Sequence, residues 1–97
     1  MPTYVTLVNF TQKGAETIKE GSARLDAAKQ GLKALGAELK GWYLTMGRYD
    51  VVFIFEAPDD ETMTAVMLKL ASLGNVKTQV LRAFRTSEMD AILKKVA

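Results

Sequence analysis

Nine residues, Tyr49–Ala57 with the sequence YDVVFIFEA, decide the fold. β-Branched and aromatic residues follow one another almost without a break, which is typical of a β-strand. Side chains alternate between the two faces of a strand, so one face carries Tyr49, Val51, Phe53 and Phe55 and the other carries Asp50, Val52, Ile54 and Glu56. Both faces are apolar through the middle, whereas an antiparallel strand with one face in water alternates apolar and polar residues. We therefore expect both faces of the sheet to be covered.

The segments on either side of this strand predict the rest of the sheet. Only Gly47 and Arg48 separate it from a further strand predicted over 37–46, so these two strands form an antiparallel hairpin, with Gly41 at a bulge. Further strands are predicted over 3–10 and 76–85.

Two long helices and a short one separate these strands. The first begins at an N-cap Ser22, carries an apolar stripe at helical spacing and stops at Gly36. The second is capped by Asp59 and ends at Gly74, and a last short helix is capped by Ser87. The order β-α-β-β-α-β-α predicts an α+β, ferredoxin-like fold: a four-stranded antiparallel sheet with both long helices on one face and an extra C-terminal helix.

The uncovered face of this sheet predicts assembly. An exposed sheet face with this much apolar surface would be adhesive, and the helices cover only one side. We therefore expect a homodimer or a higher homo-oligomer, in which a second copy packs on the open face.

Composition narrows the possible chemistry. The chain has 97 residues, which we expect to form one domain over 1–97, and it has no His and no Cys. This excludes disulfides, thiol nucleophiles, zinc sites built on Cys or His, and the Ser-His-Asp triad. The net charge of +2 and the acidic neighbours of the aromatic strand argue against nucleic-acid binding. With no apolar run of membrane-spanning length and no signal peptide expected, the predicted location is the cytoplasm, away from membranes.

Three strings resemble the GYD family, which takes its name from a glycine–tyrosine–aspartate pattern: YVTLVNFTQKG, AELKGWYLTMGRYDVVFIFEAPDD and SLGNVKTQVLRAF. The pattern falls here on Gly47, Tyr49 and Asp50, and the resemblance runs from Thr3 to about Phe84. It implies a ferredoxin-like fold related to dimeric α/β barrels and to the ligand-binding domains of Lrp/AsnC regulators. It implies no particular activity, and the chain has no helix-turn-helix segment that would bind DNA.

Potentially functional side chains are densest around the predicted hairpin. The candidates for ligand binding there are Trp42, Tyr43, Arg48, Tyr49 and Asp50, which offer apolar walls and a few orienting polar groups. Tyr49 and Asp50 start on opposite faces of their strand, so only one of them lines a given cavity unless a bulge rotates the pair. The alternative is structural: core or interface aromatics, a tight turn at Gly47 and a local bond from Asp50.

Two further candidates lie on other strands. Asn9 interrupts an apolar strand, and Arg82 shares a face with Val80 and Phe84, where a carboxylate partner or a ligand anion would satisfy it. Helix capping accounts for most of the acidic residues between Glu56 and Glu61, so we expect no metal and no cofactor.

Two classes of function remain. One is a homo-oligomeric module that binds a small organic ligand or serves in assembly. The other is a cofactor-independent enzyme of the dimeric α/β-barrel type, a monooxygenase or isomerase, working with Tyr, Trp, Asn and Arg alone.

Overall fold

A computed structural model describes residues 1–96. Its elements are β1 (Thr3–Phe10), α1 (Gln12–Glu16), a 3₁₀ turn (Ile18–Glu20), α2 (Gly21–Ala34), β2 (Glu38–Leu44), β3 (Val51–Glu56), α3 (Asp60–Ser72), β4 (Val76–Ala83) and α4 (Thr86–Lys94). The α+β order predicted from the sequence is confirmed. None of the helices within residues 1–96 combines the length and the apolar character that crossing a membrane requires.

All strand pairs in the four-stranded sheet are antiparallel, and the order is β2-β3-β1-β4. β1 and β3 are the central strands, and Val5 of β1 lies between Ile54 on β3 and Leu81 on β4. This is the ferredoxin-like arrangement that the sequence predicts. β2 and β4 are free edges, so the sheet of one chain does not close into a barrel.

The predicted bulge is present in β2. Leu39 pairs with Phe55 and Gly41 with Ile54, which leaves Lys40 as the extra residue on its strand. A Cβ on Gly41 would lie 3.0 Å from the Tyr43 ring and 3.4 Å from the Ile54 side chain, so the close approach at this position favours glycine. The bulge sets the register that pairs Trp42 with Phe53.

Some helix boundaries follow the predicted caps and others do not. Asp59 caps α3 as predicted, because its carboxylate accepts a bond from the Thr62 N–H at 2.7 Å. Ser22 does not cap α2, because the 3₁₀ turn runs directly into that helix at Gly21. Ser87 lies within α4, whose first turn is held by Arg85 and Glu88: the Arg85 N–H donates to the Glu88 carboxylate at 2.9 Å.

Three strands are shorter than predicted, and β2 covers only Glu38–Leu44 of the predicted 37–46. β3 begins at Val51, because residues 45–50 form a loop closed by a bond from the Thr45 N–H to the Asp50 carbonyl at 2.9 Å. β4 ends at Ala83, two residues before the predicted boundary, and the chain then turns into α4. The later start of β3 removes Tyr49 and Asp50 from the regular alternation of that strand.

One sheet face packs against α2 and α3. The buried core on this face comprises Tyr4, Leu32, Ala37, Phe55, Ala57, Met63, Val66 and Met67. Phe53 packs beside it with its ring 5.3 Å from the Phe55 ring in an edge-to-face arrangement, so Phe53 lies on the helix side.

No helix within residues 1–96 covers the opposite sheet face, which we call the open face. Register and alternation place six apolar side chains on it: Val5, Leu7, Tyr43, Val52, Ile54 and Leu81. Tyr43 is 58% exposed and Leu81 is 43% exposed, while the four residues on the two central strands are half-buried. Both faces of β3 are therefore apolar, but helices cover only one of them.

A polar contact joins the middle of the sheet to the start of α3. The buried Tyr4 hydroxyl donates to the Asp60 carboxylate at 2.5 Å. Burial, followed by the bond to Asp60 and its negative charge, raises the pKa of Tyr4 from 10.0 to about 12. The phenol therefore remains a hydrogen-bond donor throughout the neutral range.

Replacing Tyr4 with Phe should lower the free energy of unfolding by about 1.5–3 kcal/mol near neutral pH, because a bond to a charged group is lost. The raised pKa makes this stabilisation fully present below pH ~10 and lost as the pH rises toward about 12. Urea denaturation across this range should show the difference between the wild type and Tyr4→Phe shrinking above pH ~10. A difference that stays constant to pH ~12 would contradict the assignment.

Candidate functional site

The loop at residues 45–50 gathers several of the candidate residues at one end of the sheet. The Asn9 amide donates to the Arg48 carbonyl at 2.8 Å, and the Phe10 N–H donates to the Asp50 carboxylate at 2.8 Å. The Asp50 N–H in turn donates to the Val8 carbonyl at 2.9 Å. Asn9, Arg48 and Asp50 thus fasten the hairpin to the end of β1, with the Asp50 carboxylate bound to backbone.

Tyr49 extends from this loop toward β4. Its hydroxyl donates to the Gln79 side-chain oxygen at 3.3 Å, and the Arg48 guanidinium lies 5.9 Å from its ring centre. Gln79 pairs with Leu7 and so lies on the open face, which puts the Tyr49 ring at the end of that face. The expectation that Tyr49 shares a face with Phe53 is wrong, because Tyr49 precedes the first residue of β3.

Gly47 supplies the backbone geometry of the turn. Its φ of +99° lies in the region that favours glycine, and no heavy atom lies within 4 Å of the place where a Cβ would stand. The three residues of the pattern therefore have different parts: Gly47 permits the turn, Asp50 holds β1, and Tyr49 reaches β4.

A large cavity lies on the other side of the sheet, between the strands and the pair α2 and α3; we call it the helix-side cavity. Its volume is about 590 Å³, and its lining is mainly apolar. Trp42 and Phe53 form part of the sheet wall, with ring centres 6.3 Å apart. Leu25 on α2 and Leu70 on α3 are among the side chains on the helix wall. A cavity of this size and character is suited to a small organic ligand.

The candidate residues do not all meet at this cavity. Trp42 lines it, whereas Tyr49 and Asp50 are absent from its lining. Tyr43 follows Trp42 and points to the open face, opposite Val52. The hairpin thus divides its aromatic residues between the two sides of the sheet.

Arg82 lies at the opposite end of the sheet, at a second cavity of about 390 Å³ between α3 and strands β1 and β4. Its guanidinium lies 4.3 Å from the Phe84 ring centre and 5.6 Å from that of Tyr4, and it is 4.0 Å from the Glu88 carboxylate. The carboxylate partner expected for Arg82 is therefore present in the same chain.

Sequence reasoning missed two contributors to these sites. The sequence indicates only that Tyr4 lies on a strand and that Asp60 lies in the first turn of a helix, and their contact joins residues 56 positions apart. No local signal in the sequence connects them.

Residues 1–96 contain no group of three or more Asp, Glu, His or Cys side chains arranged to hold a metal ion.

Comparison with known proteins agrees with the fold. A curated relative from Thermus thermophilus, named "Glutamine synthetase and cystathionine beta-lyase binding protein", is 38% identical over 95 residues, which cover 97% of this chain and all of the relative. A protein from Thermus thermophilus with a known crystal structure matches with a TM-score of 0.57 and 25% identity, covering 89% of this chain and 96% of that one.

The family model for the GYD domain matches residues 4–93, which includes nearly all of the region from Thr3 to about Phe84 that carries the resemblance in the sequence and extends into α4. The match covers both of the central strands, the hairpin and the two long helices. This chain therefore belongs to the GYD domain family.

Proposed function

We propose that this protein is a homo-oligomeric binding module that holds a small, mainly apolar ligand in the helix-side cavity. The observation that carries the proposal is the cavity itself: about 590 Å³, open to solvent on one side and bounded by a sheet wall with two aromatic rings and by two apolar helix stripes. Ligand sites in proteins are typically ~300–1,000 Å³ in volume and are lined mainly by apolar and aromatic side chains.

The helices leave this space open because each packs on its own part of the sheet. α2 packs chiefly against β2, and α3 packs chiefly against β4. Gly31 faces the gap from α2, and a Cβ there would meet only the end of the Lys69 side chain, at 3.7 Å. A larger side chain at Gly31 therefore projects into the cavity without displacing backbone.

Binding of the neutral dye Nile red, measured by its fluorescence, tests the cavity directly. Gly31→Leu should weaken binding several-fold, because the added side chain takes up cavity volume while leucine favours the helix. Ala23→Leu is the matched control, since Ala23 is exposed on the same helix and does not line the cavity. Equal dye affinity in both variants, or no binding by the wild type, would contradict the proposal.

The open face supports the oligomeric part of the proposal. Its six apolar side chains form a continuous band across all four strands, and the band lies opposite the face that the helices cover. A second copy presenting the same face would remove this surface from water, as two sheets do when they pack face to face.

Ile54→Lys should convert the oligomer to a monomer in sedimentation experiments, because it places a charge at the centre of the open face. Leu68→Lys is the matched control: Leu68 is 67% exposed on α3, away from the open face. The control should sediment like the wild type. A wild type that is monomeric at tens of micromolar would contradict assembly through this face.

A second candidate function is binding to other proteins, which the name of the relative from Thermus thermophilus suggests. The observation that favours it is α4, whose side chains Met89, Ile92 and Leu93 are each 39–52% exposed and recur at helical spacing. Within residues 1–96 this helix buries none of its residues. Its apolar stripe is therefore available to a protein partner.

Titration of this protein with purified glutamine synthetase and cystathionine β-lyase, both taken from the organism that produces it, tests this candidate. Ile92→Lys should weaken binding at least about tenfold, as expected when a charge enters an apolar contact. Ala91→Lys adds the same charge on the other side of the helix and should bind like the wild type. The candidate fails if the wild type binds neither enzyme.

A further inference from the structure

All charged side chains in the lining of the helix-side cavity are basic. They are Lys19 on the 3₁₀ turn, Arg24 on α2 and Lys69 on α3, and no Asp or Glu is among the lining residues. The other lining residues are mainly apolar. The cavity therefore combines an apolar interior with basic side chains from three separate elements.

Lys69 reaches across the gap between the two helices. Its ammonium nitrogen lies 3.7 Å from the position that a Cβ would occupy on Gly31, so a side chain rooted on α3 ends beside α2. Its side chain is thus placed over the space between the helices. An anionic group held here would sit above the apolar interior formed by Trp42, Phe53 and Leu70.

Two of the three cations have no counter-charge within the part of the chain that the structure describes. Arg24 pairs with Glu20 at 2.9 Å and also bonds the Thr17 hydroxyl. Lys19 and Lys69 form no ion pair with any of residues 1–96. Both lysines are exposed, so their attraction for an anion at the cavity is that of a partly solvated pair and is screened by salt.

We propose that the helix-side cavity binds a monocarboxylate with an apolar chain, such as a medium-chain fatty acid. The chain lies between the sheet and the helices, and the carboxylate accepts a charge-assisted hydrogen bond from Lys69, while Lys19 adds positive charge to the same lining. This inference rests on the proposed ligand-binding function and adds the chemical class of the ligand. The contrasting possibility is that the lysine stems merely cover apolar surface while their ammonium groups remain in water.

Displacement of Nile red by three ligands of equal chain length separates these possibilities. The ligands are decanoate, decanol and decylamine, each used below its micelle-forming concentration. Decanoate should displace the dye at about tenfold lower concentration than decanol, with decylamine the weakest. The preference for decanoate should diminish as salt is added, because the contact with the ammonium groups is partly exposed.

Variants then assign the preference to the lysines. Lys69→Gln should reduce the preference for decanoate over decanol to about threefold or less while leaving decanol binding unchanged. Lys19→Gln is a second variant with the same expected direction, and Lys29→Gln is the matched control on an exposed part of α2 outside the lining. Circular dichroism of each variant verifies that it is folded.

The outcomes are distinguishable. Equal displacement by decanoate and decanol would overturn the assignment of a carboxylate ligand and leave the cavity as a site for neutral apolar molecules. A preference for decanoate that survives both Lys69→Gln and Lys19→Gln would overturn the proposal that these lysines bind the carboxylate. A wild type that binds neither Nile red nor any of the three ligands would overturn the proposed ligand-binding function together with this inference.

Discussion

Two helices cover one face of a sheet whose central strand is apolar on both faces, and the other features of the molecule follow from this imbalance. On the covered side, Phe53 and Phe55 join the core around Tyr4 and Met63. On the uncovered side, the half-buried Val52 and Ile54 face no second layer in the single chain. Apolar burial is the main favourable term in folding and in association. One face of β3 therefore drives folding, and the other face favours association.

The helices also leave space on the side that they do cover. α2 packs beside β2 and α3 beside β4, which are the two edges of the sheet, so the middle of the helix layer remains open. Trp42 and Phe53 form the floor of this opening, and Lys69 extends across it toward Gly31. The resulting combination of apolar walls and basic lining residues distinguishes this cavity from the smaller one beside Arg82, which Tyr4 and Asp60 also line.

The glycine–tyrosine–aspartate pattern that gives the family its name lies outside the helix-side cavity. Asp50 holds the backbone of Phe10, Gly47 adopts a positive φ, and Tyr49 reaches Gln79 across the end of the open face. These contacts tie the hairpin to both β1 and β4. A variant at Asp50 would therefore act first on the hairpin and the sheet end, and effects on a ligand in the cavity would be indirect.

The sequence alone determined the order of the elements, the bulge beside Gly41, the cap at Asp59 and the apolar character of both sheet faces. These features depend on local propensity and on the side-chain period, which is two residues in a strand and 3.6 in a helix. Only the tertiary structure decided where the loop residues point: Tyr49 departs from the alternation of β3 because a backbone bond between Thr45 and Asp50 closes a loop before the strand begins. The contact between Tyr4 and Asp60, and the convergence of Lys19 and Lys69 on one cavity, likewise join residues that are distant in the chain. Such convergence depends on how the helices are spaced over the sheet, and no local pattern in the sequence encodes that spacing.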